Sequence, residues 1–226
     1  MTDASRNAGA RAGAPASSRR TRGPSPAKTA ETRRLILAAA LDAFLADGFS
    51  AARMSDVAAR AGLAKGTLYL HFPDKEALFE GVVAGAIGDP LAGAMAAPPG
   101  PEESFRAALD RTLRPLLSDL EGSRRAAVIR LVATEGPRFP ALAAIYRRRV
   151  IDPGTEAIRR LAARAVARGE LRSDALVRMP QLLIAPALMA TLWNGLYGAE
   201  DPLDAGAALD GFLDLVLGPE GDRPAG

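Results

Sequence analysis

The stretch from Gly48 to Val83 reads GFSAARMSDVAARAGLAKGTLYLHFPDKEALFEGVV, and it decides the fold of the N-terminal region. Two short segments with helical periodicity, at about 55–61 and 65–71, lie on either side of Gly62. Pro73 ends the second segment, because proline lacks the N–H that a helix interior requires. The pattern predicts two short helices joined by a tight turn.

Longer helices are predicted on both sides of this pair. From Thr32 onward Ile36, Ala40 and Phe44 fall on one helical face, and Asp47-Gly48 ends that helix. Asp74 can cap a following helix over 74–87 with a continuous apolar face: Leu78, Phe79, Val82, Val83 and Ile87. A long helix followed by two short ones is typical of a helix-turn-helix module.

The second short helix is too polar to be core on every side. Leu63 and Leu68 would form its buried side, and Gly66 would let its backbone approach another molecule closely. The outward side chains are of the kinds that bind base edges and phosphates in DNA: Lys65, Thr67, Tyr69 and His71. Tyr69 could instead be a packing residue.

The whole stretch resembles the DNA-binding domain of TetR-family (TetR/AcrR-like) transcriptional regulators over about residues 30–85, most specifically in AGLAKGTLYLHFPDKEALF. The resemblance implies that segment 64–71 is the recognition helix. It also implies this set of DNA-contacting residues: Ser55, Lys65, Gly66, Thr67, Tyr69, Leu70, His71 and Lys75.

Two positions depart from the family pattern, which has Thr or Ser before the second helix and Ser before the recognition helix. Arg53 and Ala64 stand there in this chain, so both helices lack a side-chain cap. Arg53 could contact a phosphate in compensation, and Ser55 could cap a helix that starts later. Lys75 could also be a solvated residue of a first helical turn.

The ends of the chain differ in composition from the middle. Residues 1–30 contain Ala, Gly, Ser, Pro and Arg with almost no large apolar side chain, which predicts a disordered basic tail. This tail is either an inert leader or a weak phosphate-binding arm, and residues 219–226 form a second flexible tail. With no cysteine, no apolar leader and no stretch of about 18 apolar residues free of both charged residues and proline, we expect a cytoplasmic protein without a membrane partner.

An all-α architecture is predicted for the whole chain. Residues 88–101 concentrate Gly and Pro and divide a DNA-binding domain at 31–88 from a ligand-binding and dimerisation domain at 101–218. Pro115 and Pro186 fall inside helical patterns and predict kinks. The second domain has six predicted helices: 102–120, 123–134, 139–151, 154–168, 176–198 and 204–217.

The last two predicted helices are candidates for a dimer surface. One recognition helix reads only a few base pairs, so specific binding requires two copies on half-sites about one DNA turn apart. In the TetR family these helices commonly pair with their copies, whereas the alternative places them in the monomer core. The candidate interface residues are Leu182, Leu188, Leu192, Leu196, Leu209, Phe212, Leu213 and Val216.

The segment LVATEGPRFPALAAIYRRRV at 131–150 resembles the C-terminal domain of a subgroup of TetR regulators. A mostly apolar pocket is expected nearby, suited to a small hydrophobic or aromatic molecule. Trp193 could equally lie at the dimer seam or in the core, and Arg147–Arg149 could be a solvated face. The candidate pocket residues are Phe105, Leu109, Leu113, Leu131, Thr134, Phe139, Tyr146, Met189 and Trp193.

These features predict a homodimeric repressor that a hydrophobic effector releases from a palindromic operator on double-stranded DNA. The helix at 74–87 would link the two domains. No catalytic motif, metal-ligand cluster or cofactor fingerprint occurs in the sequence, so we expect neither an enzyme nor a cofactor. The alternatives are an activator with the same DNA-binding mode, or an architectural DNA-binding protein without a ligand.

Overall fold

The computed structural model describes residues 25–217, and this region consists of helices and connecting turns without a β-strand. The predicted all-α fold is therefore confirmed. The predictions for residues 219–226, and for all but the last six residues of the N-terminal tail, lie outside the described region.

Helix α1 spans Pro26–Ala51 and begins six residues before Thr32, inside the segment expected to be disordered. Its start has an ordinary physical cause, because the Ser25 side chain accepts a hydrogen bond from the Lys28 N–H and Pro26 occupies the first turn. Near its end Gly48 has a φ of 73°, which bends the chain at the predicted Asp47-Gly48 stop.

Helices α2 (Met54–Arg60) and α3 (Lys65–His71) form the predicted pair around Gly62, whose φ is 67°. Neither Arg53 nor Ala64 caps its helix with a side-chain hydrogen bond. The helices are held instead by packing against α1: Val57 and Leu68 are fully buried in a core that includes Ile36 and Phe44.

Helix α4 spans Lys75–Met95 and starts at the Asp74 cap, whose side chain accepts a hydrogen bond from Ala77 N–H at 2.7 Å. It continues past the expected boundary at residue 88 because a π turn, Ala84–Gly88, precedes Pro90. Pro90 has no N–H for the carbonyl of Ala86, which accepts from Nε of Arg125 at 3.2 Å instead. By length and composition α4 could cross a membrane, but its apolar side is buried in the protein core.

The remaining helices form a bundle around α4. Pro115, Pro153 and Pro186 lie in the first turns of helices, where a missing N–H is harmless, so Pro115 and Pro186 begin helices and do not kink them. A 3₁₀ turn at Pro180–Leu183 precedes the helix that begins at Ala185. The helices are α5 (Phe105–Thr112), α6 (Arg114–Leu117), α7 (Arg125–Glu135), α8 (Pro140–Tyr146), α9 (Asp152–Ala167), α10 (Ala175–Arg178), α11 (Ala185–Tyr197) and α12 (Ala205–Leu217).

A second π turn, Arg147–Ile151, joins α8 to α9 and packs against the π turn of α4. Each π turn directly precedes an Asp-Pro pair, at Asp89 and at Asp152. The contact is close, since a Cβ placed on Gly88 would lie 3.2 Å from the backbone oxygen of Arg149.

The N-terminal module and the bundle share one hydrophobic core. The ring centroids of Phe49 and Phe139 lie 5.3 Å apart, and those of Phe44 and Phe79 lie 5.9 Å apart. The same core continues to Leu142 and Ile145 on α8. The module is therefore held against the bundle by α4 and α8 together.

Candidate DNA-binding surface and effector cavity

Helix α3 presents most of its side chains away from the protein. Leu70 is 87% exposed and Tyr69 is 42% exposed, while Leu68 between the turns is fully buried. The Lys65 ammonium lies 5.8 Å from the centroid of the Tyr69 ring. Together these residues form a surface with a cation, a phenol and an isobutyl group, which can bond phosphates and pack on thymine methyl groups.

Gly66 lies on the same outer surface. A Cβ placed on it would meet no protein atom within 4 Å, so nothing in the described protein requires glycine there. Glycine inside a helix is less stable than alanine by about 0.5–1 kcal/mol. A close approach of another molecule to the helix backbone would explain why glycine stands here despite its lower helix stability.

The other predicted DNA contacts lie around α3. Arg53 and Ser55 are exposed at the start of α2, and the Ser55 hydroxyl donates to the Asp56 carboxylate at 3.0 Å. Because α2 begins at Met54, Ser55 does not cap a later start. Thr67 and His71 are half-buried, with the His71 ring 6.5 Å from that of Phe72.

Lys75, a predicted DNA contact, is hydrogen-bonded within the protein. Its ammonium donates to the backbone oxygens of Phe49, Ser50 and Ala52 at 2.6, 2.9 and 3.1 Å, and it lies 4.7 Å from the Phe49 ring centroid. Burial lowers the pKa of Lys75. All three N–H donors are used, so Lys75 stabilises the end of α1 and has none left for a phosphate.

An apolar cavity of about 120 Å³ lies between α4 and the bundle. Its wall includes both π turns and is almost entirely hydrocarbon. Two residues bring polar groups: Arg125 and Tyr146. The other lining residues are Ile87, Leu91, Met95, Leu113, Leu116, Leu117, Leu120, Ile129, Val150, Ile151, Gly154, Ile158, Leu183, Ile184 and Ala187.

The two polar residues differ in the hydrogen bonds that they form with the protein. Nε and Nη1 of Arg125 donate to the oxygens of Ala86 and Leu116 at 3.2 and 3.1 Å. Within residues 25–217 no carboxylate lies within ion-pairing distance of this guanidinium. Burial raises the pKa of Tyr146 to about 12, so its phenol is neutral at physiological pH.

Two family models match the sequence. "Bacterial regulatory proteins, tetR family" matches residues 36–82, and "Tetracyclin repressor-like, C-terminal domain" matches residues 99–219, more than half of the chain. The chain belongs to the TetR family. It is thus a transcriptional regulator of that family, with a DNA-binding helix-turn-helix in α2 and α3.

Two curated relatives match over about a quarter of the chain. The HTH-type transcriptional repressor BepR of Brucella suis biovar 1 is 39% identical over 57 residues, which are 25% of this chain and 27% of BepR. The HTH-type transcriptional regulator SrpR of Pseudomonas putida is 40% identical over 58 residues, which are 26% of this chain and 27% of SrpR. The alignments therefore span about a quarter of these relatives.

Solved structures match nearly their whole length. The flavonoid-responsive regulator FrrA is 27% identical with a TM-score of 0.58, covering 83% of this chain and 98% of that one. A transcriptional regulator from Rhodococcus sp. Rha1 is 25% identical with a TM-score of 0.61, covering 82% and 95%. FadR of Bacillus subtilis, in complex with stearoyl-CoA, is 18% identical with a TM-score of 0.64, covering 83% and 99%, and shares the fold.

The structure of this TetR-family chain brings only Leu113 and Tyr146 of the predicted pocket set to the cavity. Phe105 and Leu109 are buried in a second core, between α5 and α9, and Phe139 packs on Phe49. These side chains are apolar because they fill cores, and periodicity does not distinguish a core from a cavity wall.

The remaining predicted pocket residues also lie elsewhere. Leu131 and Thr134 line a shallow groove beside the end of α1. Met189 is 58% exposed. The Trp193 indole N–H donates to the backbone oxygen of Asp201 at 2.7 Å, and the Trp193 ring centroid lies 5.0 Å from that of Tyr197. Both Met189 and Trp193 therefore face away from the cavity.

The predicted dimer set divides into two groups. Leu209 and Leu213 are almost fully buried in the second core, with Phe212 and Val216 packed partly against it. An exposed group lies on and just before α11: Leu182 at 42%, Leu188 at 39%, Leu192 at 52% and Leu196 at 75%. The available apolar surface thus lies mainly on α11, and α12 adds Leu215, which is 87% exposed.

Sequence reasoning missed most of the cavity wall. Ile87 and Leu91 continue the apolar face of α4, but the Gly and Pro content of residues 88–101 predicted a domain boundary there. The i, i+4 spacing of these two residues was the available signal. Arg125 carried no comparable signal, because its contacts to Ala86 and Leu116 depend on the tertiary structure.

Proposed function

We propose that this TetR-family regulator is a homodimeric repressor that a small, mainly hydrophobic effector releases from a palindromic operator. The observation that supports it best is the position of the cavity. Ile87, Leu91 and Met95 of its wall belong to α4, the helix that also carries the DNA-binding module at its other end.

DNA binding is assigned to the outer surface of α3, placed in the major groove. Lys65 and Tyr69 would bond phosphates or base edges, and Leu70 would pack on a thymine methyl group. Its large exposed apolar surface has no partner in the described protein, as expected for a residue covered by a ligand. Arg53 would add a phosphate contact at the start of α2.

Dimerisation is assigned to α11. Leu188, Leu192 and Leu196 recur every four residues and form one exposed apolar stripe, with Met189 beside it. A second copy would bury this stripe and hold two α3 helices on half-sites about 34–36 Å apart, as successive major grooves require.

Release is assigned to the contact between α4 and the π turn at Arg147–Ile151. An effector larger than the cavity would separate the walls contributed by these two segments. Since Gly88 lies against the backbone of Arg149, any separation moves α4 and with it the module. The effector then weakens DNA binding by the same factor by which DNA weakens effector binding.

The relatives agree with a repressor that responds to a ligand. BepR is described as a repressor, and FrrA, at 27% identity, is described as flavonoid-responsive. These descriptions belong to those proteins, and for this chain they support the proposal only through the shared domains.

The test is selection of genomic fragments by the purified full-length protein, followed by footprinting at near-physiological salt. A protected two-fold symmetric site, absent with Tyr69→Ala, is the expected result. Transcription from the adjacent promoter then distinguishes a repressor from an activator. Binding that ignores sequence and disappears with salt would contradict the proposal and favour an architectural role.

A further inference from the structure

The cavity has one charged residue in its otherwise apolar wall, and this residue narrows the chemistry of the ligand. Arg125 is half-buried, begins α7, and contributes to a wall that is otherwise hydrocarbon except for Tyr146. Its guanidinium is the charged group among the residues that line the cavity, and its N–H donors can bond an anion.

The protein compensates this charge only in part. An arginine side chain has five N–H donors, and Arg125 gives two of them to the carbonyls of Ala86 and Leu116. Carbonyl dipoles satisfy those donors but supply no counter-charge. Nη2 has no hydrogen-bond partner among residues 25–217, and no carboxylate there pairs with Arg125.

A neighbouring arginine on the same helix shows the contrast. Arg130 is also half-buried, and its guanidinium forms a two-pronged ion pair with Glu121 at 3.0 and 3.1 Å, outside the cavity. The fold therefore provides a carboxylate for Arg130 and none for Arg125.

Tyr146 adds a second donor. Its hydroxyl forms no hydrogen bond with residues 25–217, and burial raises the pKa of the phenol to about 12, further above neutral pH. A neutral phenol and a guanidinium both donate, and together they suit an oxygen acceptor that carries negative charge.

We propose that the effector is a hydrophobic carboxylic acid, whose carboxylate pairs with Arg125 and accepts from Tyr146 while its apolar body fills the cavity. This inference rests on the proposed function and narrows its effector from hydrophobic molecules in general to organic acids. The cavity of about 120 Å³ is close to the size that holds one benzene ring, so an aromatic monocarboxylate is the simplest probe.

The experiment compares benzoate with benzamide, two ligands of the same shape that differ in charge. Each is titrated into full-length protein, and binding is followed by calorimetry and by the shift in Tm. A charge-assisted pair predicts that benzoate binds about tenfold more tightly or better. Equal or weaker binding of benzoate by the wild-type chain overturns the inference, whether or not any variant folds.

Three variants locate the interaction. Arg125→Gln should remove the preference for benzoate, and the matched Arg130→Gln should keep it. Ile129→Trp, which fills the cavity, should abolish binding of both ligands. The assignment of the carboxylate to Arg125 is overturned if Arg125→Gln still prefers benzoate over benzamide. The assignment of the ligand to the cavity is overturned if Ile129→Trp still binds benzoate.

Failure here can be told apart from failure of the proposed function. The operator footprint is measured without ligand, so it tests the regulator independently. If the footprint is specific but benzoate and benzamide bind equally, the proposed function stands and the carboxylic acid is ruled out as the effector. The effector would then be a neutral hydrophobic molecule.

Discussion

The carboxylate of Glu80 on α4 accepts a hydrogen bond from Nε of Arg149 at 2.7 Å, and the same oxygen accepts from Arg148 at 3.0 Å. Arg149 belongs to the π turn whose backbone lies against Gly88. This ion pair and the Gly88 contact, eight residues apart on α4, join the helix of the DNA-binding module to the wall of the cavity.

The Glu80 ion pairs predict a specific pH dependence. Arg148 and then Arg149 hold the pKa of Glu80 below its ordinary value of 4.5. A lowered pKa in the folded state means that the stabilisation is present above pH 4.5 and is lost as the pH falls through the folded-state value. Because the arginines are half exposed, we expect no more than about 1 kcal/mol.

The measurement is the Tm of wild-type protein and of Glu80→Gln between pH 3 and 8. The wild-type advantage should be largest near neutral pH and should shrink below pH 4.5. Glu102→Gln, which changes an exposed carboxylate at the surface, serves as the control and should change Tm little at any pH. A difference that grows on acidification would contradict the assigned ion pairs.

Close packing of the two π turns predicts opposite effects for two glycines of the same helix. Gly88→Ala places a Cβ 3.2 Å from the Arg149 oxygen and should destabilise the fold by about 1–3 kcal/mol. Gly93→Ala meets nothing within 4 Å and should stabilise it by about 0.5–1 kcal/mol. Chemical denaturation of both variants tests this, and equal effects would argue against the close contact.

Substitution of Lys75 should lower the stability of the fold, whereas substitution of Lys65 should weaken DNA binding. Lys75→Met leaves the oxygens of Phe49, Ser50 and Ala52 without their shared donor, and should lower the free energy of unfolding by about 2 kcal/mol. Lys65→Met should leave unfolding unchanged and weaken operator binding. Denaturation without DNA, and fluorescence anisotropy with labelled operator, measure the two effects. An unchanged Tm for Lys75→Met would restore Lys75 as a candidate phosphate contact.

Tyr69→Ala should strongly weaken specific operator binding with little change in Tm, because the side chain is 42% exposed on α3. Loss of a base contact typically weakens discrimination by about 1–3 kcal/mol. Gel-shift competition between operator and random DNA measures that discrimination. If Tyr69→Ala retained its operator affinity, α3 would not be the recognition helix.

In the proposed dimer, Leu192→Glu should disrupt the interface and leave a monomer that still folds, because the side chain is 52% exposed on α11. Leu209→Glu, in the buried second core, should instead unfold the bundle. Analytical ultracentrifugation and circular dichroism distinguish the two outcomes. A dimer that persists in Leu192→Glu would place the interface elsewhere.

Local sequence signals determined the N-terminal module. Gly62, Pro73 and Asp74 act through backbone dihedrals, a missing N–H and a cap, all of which operate within a few residues. The start of α1 at Pro26 had the same kind of signal in Ser25-Pro26, but the low-apolar composition around it obscured it.

Only the tertiary structure decided which residues line the cavity, which groups Lys75 contacts, and which of the predicted dimer residues are exposed. Apolar periodicity marks a side chain for burial but does not say whether it meets a core, a cavity or a second copy. Leu109, Leu113 and Leu192 have the same character in the sequence and occupy a core, a cavity wall and an exposed stripe. Lys75 and Arg125 depend on backbone oxygens that become available only where helices end or turn around prolines, after distant segments have packed together.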